Sequence, residues 1–325
     1  MKVFVVGGTG LIGYYTCLEL LNQGHDVASL SVPDIKLGEW FPKEIKTHFE
    51  DVFTLNTDEL MDLFRGYDAM IYSVGPDDRL KPKPPAYDFF FEHLVLTCSR
   101  AVNAARKAGV RKTAVANSYF TSMDRIKPEL KLAQRHPYIR CRVEQVQEVM
   151  RAGKKEMDVM ILELPYIFGA MPERDPLWKD ILFQKLHDWP IIFYPKGGAP
   201  RISVRQVAKA FVGAIIRGEH GKQYEIGDEN RDWNWMLRIM LDEMGMGHKK
   251  IINLPRFVMN FVGRRVKKSE TKAGIESGLD PNTCFGDNVC RYHYYDCEVA
   301  KRELGFGGGD VEEAIRESVR ASLPL

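Results

Sequence analysis

The sequence predicts an α/β chain in which a doubly wound parallel sheet is followed by a smaller C-terminal lobe. Three observations lead there. The opening segment MKVFVVGGTGLIGYYTCLELLNQGH joins a β-branched run, a glycine turn and a helical pattern; strand and helix patterns then alternate as far as Pro165; and beyond it prolines break the rhythm. Residues 1–165 are expected to form the first domain, residues 200–220 to return to it, and residues 166–325 to supply most of the second lobe.

Each element has its own signal. Lys2 to Val6 is a short strand-forming run, Gly7 to Gly13 lacks bulk at the turn positions, and Leu11, Tyr15, Leu18 and Leu21 recur at helical spacing. HDVASLSV (25–32) reads as a second strand, IKTHFEDV (45–52) as a third, DELMDLF (58–64) as a helix and DAMIYSVG (68–75) as a fourth strand. A long helical stretch (89–109) ends at Gly109, followed by the strand VRKTAVANS (110–118), a helix over 138–153 and the strand DVMILELP (158–165). Repeated βα order implies helices on both faces of a parallel sheet, with a ligand crevice outside the carboxyl ends of the strands. Past Pro165, residues Pro172, Pro176, Pro190, Pro195 and Pro200 punctuate short apolar segments that carry Trp178 and Trp189.

Composition fits a globular protein of enzyme size: 325 residues with 45% hydrophobic content can bury a full core. The balance of 46 basic and 44 acidic residues leaves a formal charge of only +2, which offers no global attraction for nucleic acid or anionic lipid. The six cysteines, Cys17, Cys98, Cys141, Cys284, Cys290 and Cys297, are scattered without a C-x-x-C, and reduced thiols in a cytoplasmic protein are their simplest account. No secretory leader pattern precedes the first strand, and no apolar run approaches the roughly 18 residues of a membrane span.

The glycine turn carries the chemistry. Gly8, Gly10 and Gly13 fit G-x-G-x-x-G, in which one glycine permits the tight turn, one lets the backbone approach a pyrophosphate, and one lets helix and strand pack closely. Directly after a strand and at the start of a helix, the pattern points to a dinucleotide whose phosphates sit on the helix N-terminus. Gly7, Gly8, Thr9, Gly10, Leu11, Ile12 and Gly13 are therefore the candidate phosphate loop.

With this loop, the βα order and the later segments AVNAARKAGVRK, LPYIFGAMPERDPLW and DCEVAKRELGF assembled, the chain resembles the extended short-chain dehydrogenase/reductases, the NAD-dependent epimerase/dehydratase family, over nearly its whole length. The resemblance implies a Rossmann domain and a small-molecule substrate. It places Glu50 and Asp51 where the family has an acidic residue beside the adenine, Val52 among the cofactor-binding residues, and Ser73, Val74 and Gly75 on the turn flanking the nicotinamide ribose. It also implies catalysis by a Y-x-x-x-K tyrosine with a Ser or Thr at the end of the preceding strand. Here HPYIRCRVEQ puts Tyr138 at the tyrosine position and Arg142 where lysine is expected, and Ser118 is the nearest match to the hydroxyl, with Thr121 and Ser122 as alternatives. An arginine stays charged and can stabilise a tyrosinate, but its wide planar head need not reach the ribose hydroxyls that a lysine holds.

The second strand ends in Ser29, Leu30 and Ser31, without the carboxylate that NAD enzymes offer to the ribose. The cofactor is thus NAD or NADP with a lean to NADP, for which Ser31 and Lys36 are the candidate phosphate contacts. Arg201 matches the family's R-x-x-x-V segment, whose arginine grips the diphosphate of nucleotide-sugar substrates, and Arg79, Lys81 and Lys83 stand in a proline-rich loop able to close over an acidic ligand. Cys284, Cys290, His293 and Cys297 match no common zinc spacing, so no metal is expected. Arg264, Arg265, Lys267 and Lys268 read as a solvated helix end, and Tyr292, Tyr294, Tyr295, Trp233 and Trp235 as core of the small lobe. Two functions follow: an NAD(P)-dependent oxidoreductase or epimerase/dehydratase acting on a small polar or nucleotide-linked substrate, or a cofactor-binding regulator that has lost catalysis. The family often pairs through the helices that include His93 to Arg106 and Tyr138 to Met150, so a homodimer is possible.

Overall fold

The computed structural model describes residues 1–323. Strand β1 (Lys2–Val6) shows why both faces of the sheet must be covered: Val3, Phe4, Val5 and Val6 are all fully buried. Side chains alternate across a strand, so Val3 and Val5 enter one core while Phe4 and Val6 enter the other. Around β1 are β2 (Asp26–Ser31), β3 (Lys46–Phe49), β4 (Ala69–Tyr72), β5 (Lys112–Ser118) and β6 (Asp158–Leu164). Further along the chain come β7 (Tyr166–Phe168), β8 (Ile191–Pro195), β9 (Gly198–Ser203), β10 (Gln223–Glu225), β11 (Glu229–Asp232) and β12 (Lys250–Leu254). The main sheet has seven parallel strands in the order β10-β6-β5-β4-β1-β2-β3. Strand order reverses between β1 and β4, and the glycine turn leaves β1 at that point, where doubly wound sheets open a crevice.

Helices Leu11–Asn22 and Val204–Arg217 pack on one face, and Thr57–Phe64, Thr97–Lys107 and Pro137–Gly153 on the other. The segment after β9 thus returns to the main sheet, supplying both the helix Val204–Arg217 and the edge strand β10. Sequence periodicity put Leu11, Tyr15, Leu18 and Leu21 on one stripe, but the deepest stripe of that helix is Gly13, Tyr14, Cys17 and Leu20. The helix lies on the sheet beside Val204–Arg217, and the predicted stripe is only half-buried. The long helix begins earlier than its pattern indicates, at Ala86, and passes through a π-helical stretch, Phe91–Leu96, before Thr97–Lys107. There the Thr97 hydroxyl donates to the Glu92 carbonyl at 3.0 Å, five residues back.

In the second lobe β7, β9 and β11 form a three-stranded sheet, while β8 and β12 pair in parallel. Trp233 and Tyr295 are buried in its core, but Tyr292 and Tyr294 are not: 50% and 37% of their surfaces are exposed, and their rings meet each other instead. Cys284, Cys290, His293 and Cys297 do not come together as a metal-ligand group among the described residues. None of the described helices is long and apolar enough to cross a membrane.

A buried carboxylate secures the outer edge of the main sheet. Glu163 on β6 is fully buried and accepts two bonds of 2.9 Å from the Arg125 guanidinium and one of 2.6 Å from Ser122. Arg125 also reaches Glu225 on β10 at 3.0 Å, so one side chain links two strands and a helix end. Removing it leaves Glu163 buried without its cation. We expect Arg125→Ala to lower unfolding free energy by about 2 kcal/mol, discounted because Arg125 itself is partly exposed; urea denaturation measures this, and a change near zero refutes the linkage. Gly13→Ala should cost about 3 kcal/mol or more in the same measurement, because a β-carbon there overlaps the Gly7 carbonyl oxygen.

Candidate active site

The cradle at the end of β1 is built from backbone. Gly7 has φ +93°, a left-handed value that favours glycine, and Gly10 precedes the helix Leu11–Asn22 in extended conformation without a side-chain cap. Uncapped N–H groups at a helix start, with the dipole behind them, suit a phosphate. Gly8 and Gly13 serve packing: a side chain on Gly8 would strike Ser29, and one on Gly13 the Gly7 backbone. Leu11 and Ile12 pack against the core behind the turn.

A groove of about 220 Å³ opens from this turn, with Gly7, Thr9 and Gly10 at its floor. Ser31 comes from the end of β2, Asp51 and Val52 from the exit of β3, and Ser73 and Val74 from the exit of β4. Asp51 is oriented by the Phe53 N–H, which donates to its carboxylate at 3.0 Å, and the Ser73 hydroxyl donates to the Val6 carbonyl at 3.0 Å. Gly75 stands outside the lining, with φ +145° and no room for a side chain beside Leu94. Lys36 does not line the groove; Arg174, from the turn after β7, does. Nothing in the local pattern around Arg174 marks it, since the turn that carries it reaches the groove only through tertiary packing.

The second group lies where β5 meets the helix Pro137–Gly153. Tyr138 is buried in the first turn of that helix, and Arg142, one turn on, donates from Nε to its hydroxyl oxygen at 3.0 Å. Arg142 also donates from Nη1 to the Ala116 carbonyl and Gln145, and from Nη2 to the Pro76 carbonyl. Burial raises the Tyr138 pKa; Arg142 opposes this and Asp78 adds to it, so the phenol remains protonated above its ordinary range. Asn117 organises the junction, donating to the Arg142 carbonyl and Gln145 while its oxygen accepts from Thr121 at 2.7 Å. The three hydroxyl candidates therefore differ. Thr121 donates to Asn117 and Ser122 to Glu163, whereas Ser118 Oγ only accepts, from the Phe120 N–H at 3.4 Å.

Distant segments complete this region. The Gly278 carbonyl accepts from the Tyr138 N–H at 3.0 Å, and Gly278 has no space for a side chain between Phe90 and Tyr138. The proline-rich loop is already neutralised in part: Arg79 forms a two-pronged pair with Asp77 and lies 6.0 Å from the Trp178 ring, and Lys81 pairs with Glu270 at 2.9 Å. Burial works against ionisation of Asp77, but Arg79 outweighs it and holds the carboxyl below its usual range. Half-buried Asp78, missed by the sequence reading, moves the other way: burial raises it, and Arg79 only partly compensates.

Arg201 is fully buried. Its guanidinium donates to the carbonyls of Ala199, Arg231 and Asp232 and lies 5.0 Å from the Trp233 ring, and burial pushes its pKa down to about 10. It pins β9 to β11 rather than facing an open pocket.

Comparison with known proteins agrees with this architecture. Gox2253 superposes with a TM-score of 0.78 at 18% identity, over 98% of this chain and 97% of that one. The Bordetella bronchiseptica enzyme WbmH, solved in complex with NAD+, gives 0.69 at 15% identity over 98% and 97% of the two chains. UDP-glucose 4-epimerase from Thermotoga maritima, solved with UDP-glucose, gives 0.69 at 12% identity over 99% and 98%. No curated protein matches the sequence. The match that reaches into the sequence itself is to the NAD dependent epimerase/dehydratase family and runs over residues 3–227, from β1 through the edge strand β10; the chain belongs to that family.

Proposed function

We propose that the protein is an NAD(P)-dependent oxidoreductase or epimerase/dehydratase that acts on a hydroxyl or carbonyl group of a small polar substrate. The observation that carries this reading is the hydrogen bond from Arg142 Nε to the Tyr138 hydroxyl at the carboxyl end of β5. A nicotinamide dinucleotide, held by the glycine turn, by Asp51 and Val52 and by the turn Ser73 to Gly75, supplies hydride chemistry when bound. Tyr138 gives its phenolic proton to the substrate oxygen in the reducing direction and takes it back in the other. Arg142 stabilises the phenolate by adjacent charge. Ser118, whose hydroxyl proton is not committed to a protein acceptor among the described residues, orients the substrate oxygen.

The lean to NADP is supported by the absence of a carboxylate at the end of β2. Between a small polar and a nucleotide-linked substrate, the burial of Arg201 favours the former, because both its Nη groups are held by backbone carbonyls and only its covered Nε is left without a partner among the described residues. One observation favours a second reading, a cofactor-binding regulator without turnover: most of the Arg142 donors are satisfied inside the protein, which weakens any hold on a ribose.

Tyr138→Phe should lower kcat by about 100-fold or more with dinucleotide Kd unchanged, measured by NAD(P)H-linked turnover across small hydroxy and carbonyl compounds. Unchanged turnover overturns the acid/base assignment. Wild-type protein that binds cofactor and never oxidises or reduces it supports the regulatory reading. Arg201→Ala should destabilise by about 3 kcal/mol through the carbonyls it leaves unpaired, and UDP-glucose should not shift the wild-type melting temperature. A shift with UDP-glucose that the variant loses would restore the nucleotide-linked substrate.

A further inference from the structure

We infer that Arg174 and Ser31 form an anion subsite for the 2′-phosphate of the adenosine half of NADP(H), and that Arg174 determines the choice between the two dinucleotides. The inference rests on the cofactor reading above. Ser31 ends β2 and lines the groove, only 4% of its surface is exposed, and its Oγ has no hydrogen-bond partner among the described residues. The oxygen is itself covered, and a covered hydroxyl without a partner at the wall of a groove is one that a rotation about its side-chain bond can bring to a ligand atom. Arg174 lines the same groove, is exposed, and makes no side-chain hydrogen bond or ion pair among the described residues. A planar guanidinium offers a phosphate paired donors, which a hydroxyl cannot do by itself.

The placement of Arg174 is built rather than incidental. Met171 is buried in the core on the face of the sheet that the helix Leu11–Asn22 covers, and it bridges to Arg174 across a tight turn. Glu173, between them, takes φ +57°, an uncommon value for a residue with a side chain. The turn is fastened to the cofactor half twice over. Tyr15, in the helix that follows the glycine turn, donates to the Ala170 carbonyl at 2.6 Å. The Glu173 carboxylate packs where a side chain on Gly38 would stand, beside Trp40. The second lobe thus delivers a cation to the lip of a groove whose other walls come from the first domain. Glu50 and Asp51, on the same groove, carry the opposing charge and set the local balance.

The test is binding by fluorescence titration with NADPH and NADH, and with 2′,5′-ADP against 5′-AMP, on wild type, Arg174→Ala, Arg174→Lys, Ser31→Asp and Glu50→Gln. The inference expects wild type to prefer NADPH, and Arg174→Ala to weaken NADPH and 2′,5′-ADP about tenfold or more while leaving NADH and 5′-AMP within about twofold. Arg174→Lys should recover part of the loss, Ser31→Asp should reverse the preference, and Glu50→Gln should tighten NADPH. Equal losses for both dinucleotides in Arg174→Ala, an unchanged ratio, or a wild type that prefers NADH overturns the subsite while leaving the cofactor reading intact. Failure of wild type to bind either dinucleotide overturns the cofactor reading and this inference together.

Discussion

The contact between Gly13 and the Gly7 carbonyl is the constraint on which the rest of the structure depends. Because neither residue carries a side chain there, the helix Leu11–Asn22 can start against the end of β1, where a single β-carbon would push it away. That approach buries Tyr14, Cys17 and Leu20 and sets the helix alongside Val204–Arg217 on the same face of the sheet. It also aims an uncapped helix start into the crevice and brings Tyr15 to the Ala170 carbonyl, the point where the second lobe is tied to the first.

At the other side of the crevice the organising element is a buried polar network rather than a close backbone approach. Asn117 sits between the end of β5 and the helix Pro137–Gly153 and holds both ends together. An arginine in place of the usual lysine has consequences for this network. Its rigid fork can serve Tyr138, Ala116, Gln145 and Pro76 at once, so it anchors the loop after β4 as well as the phenol. The same side chain that keeps Tyr138 in place is less able to turn toward a ligand, which is why catalysis and cofactor sensing are both consistent with this geometry.

The second lobe reaches back at several places. The Gly278 carbonyl fixes the Tyr138 backbone, Glu270 takes the charge of Lys81, and the turn after β7 carries Arg174 to the groove. Two of the cations in the proline-rich loop therefore answer internal carboxylates rather than an acidic ligand. Arg201 behaves similarly: a family motif marks it for an anion, yet it is enclosed by carbonyls and Trp233.

The alternation of strand and helix and the glycine turn were legible in the sequence because each is a local pattern, whereas the tyrosine and its arginine were picked out through the family resemblance. Periodicity of two or of 3.6, the lack of a β-carbon at fixed offsets, and residues one helical turn apart all survive in one dimension. What the sequence could not determine were relations between segments far apart in the chain: which of Ser118, Thr121 and Ser122 keeps its proton uncommitted, whether Arg201 faces a pocket or a core, that Tyr292 and Tyr294 lie at the surface, and that Arg174 rather than Lys36 reaches the groove. Those were decided by tertiary structure, because hydrogen-bond partners and burial depend on how distant segments pack, and no local spacing encodes them.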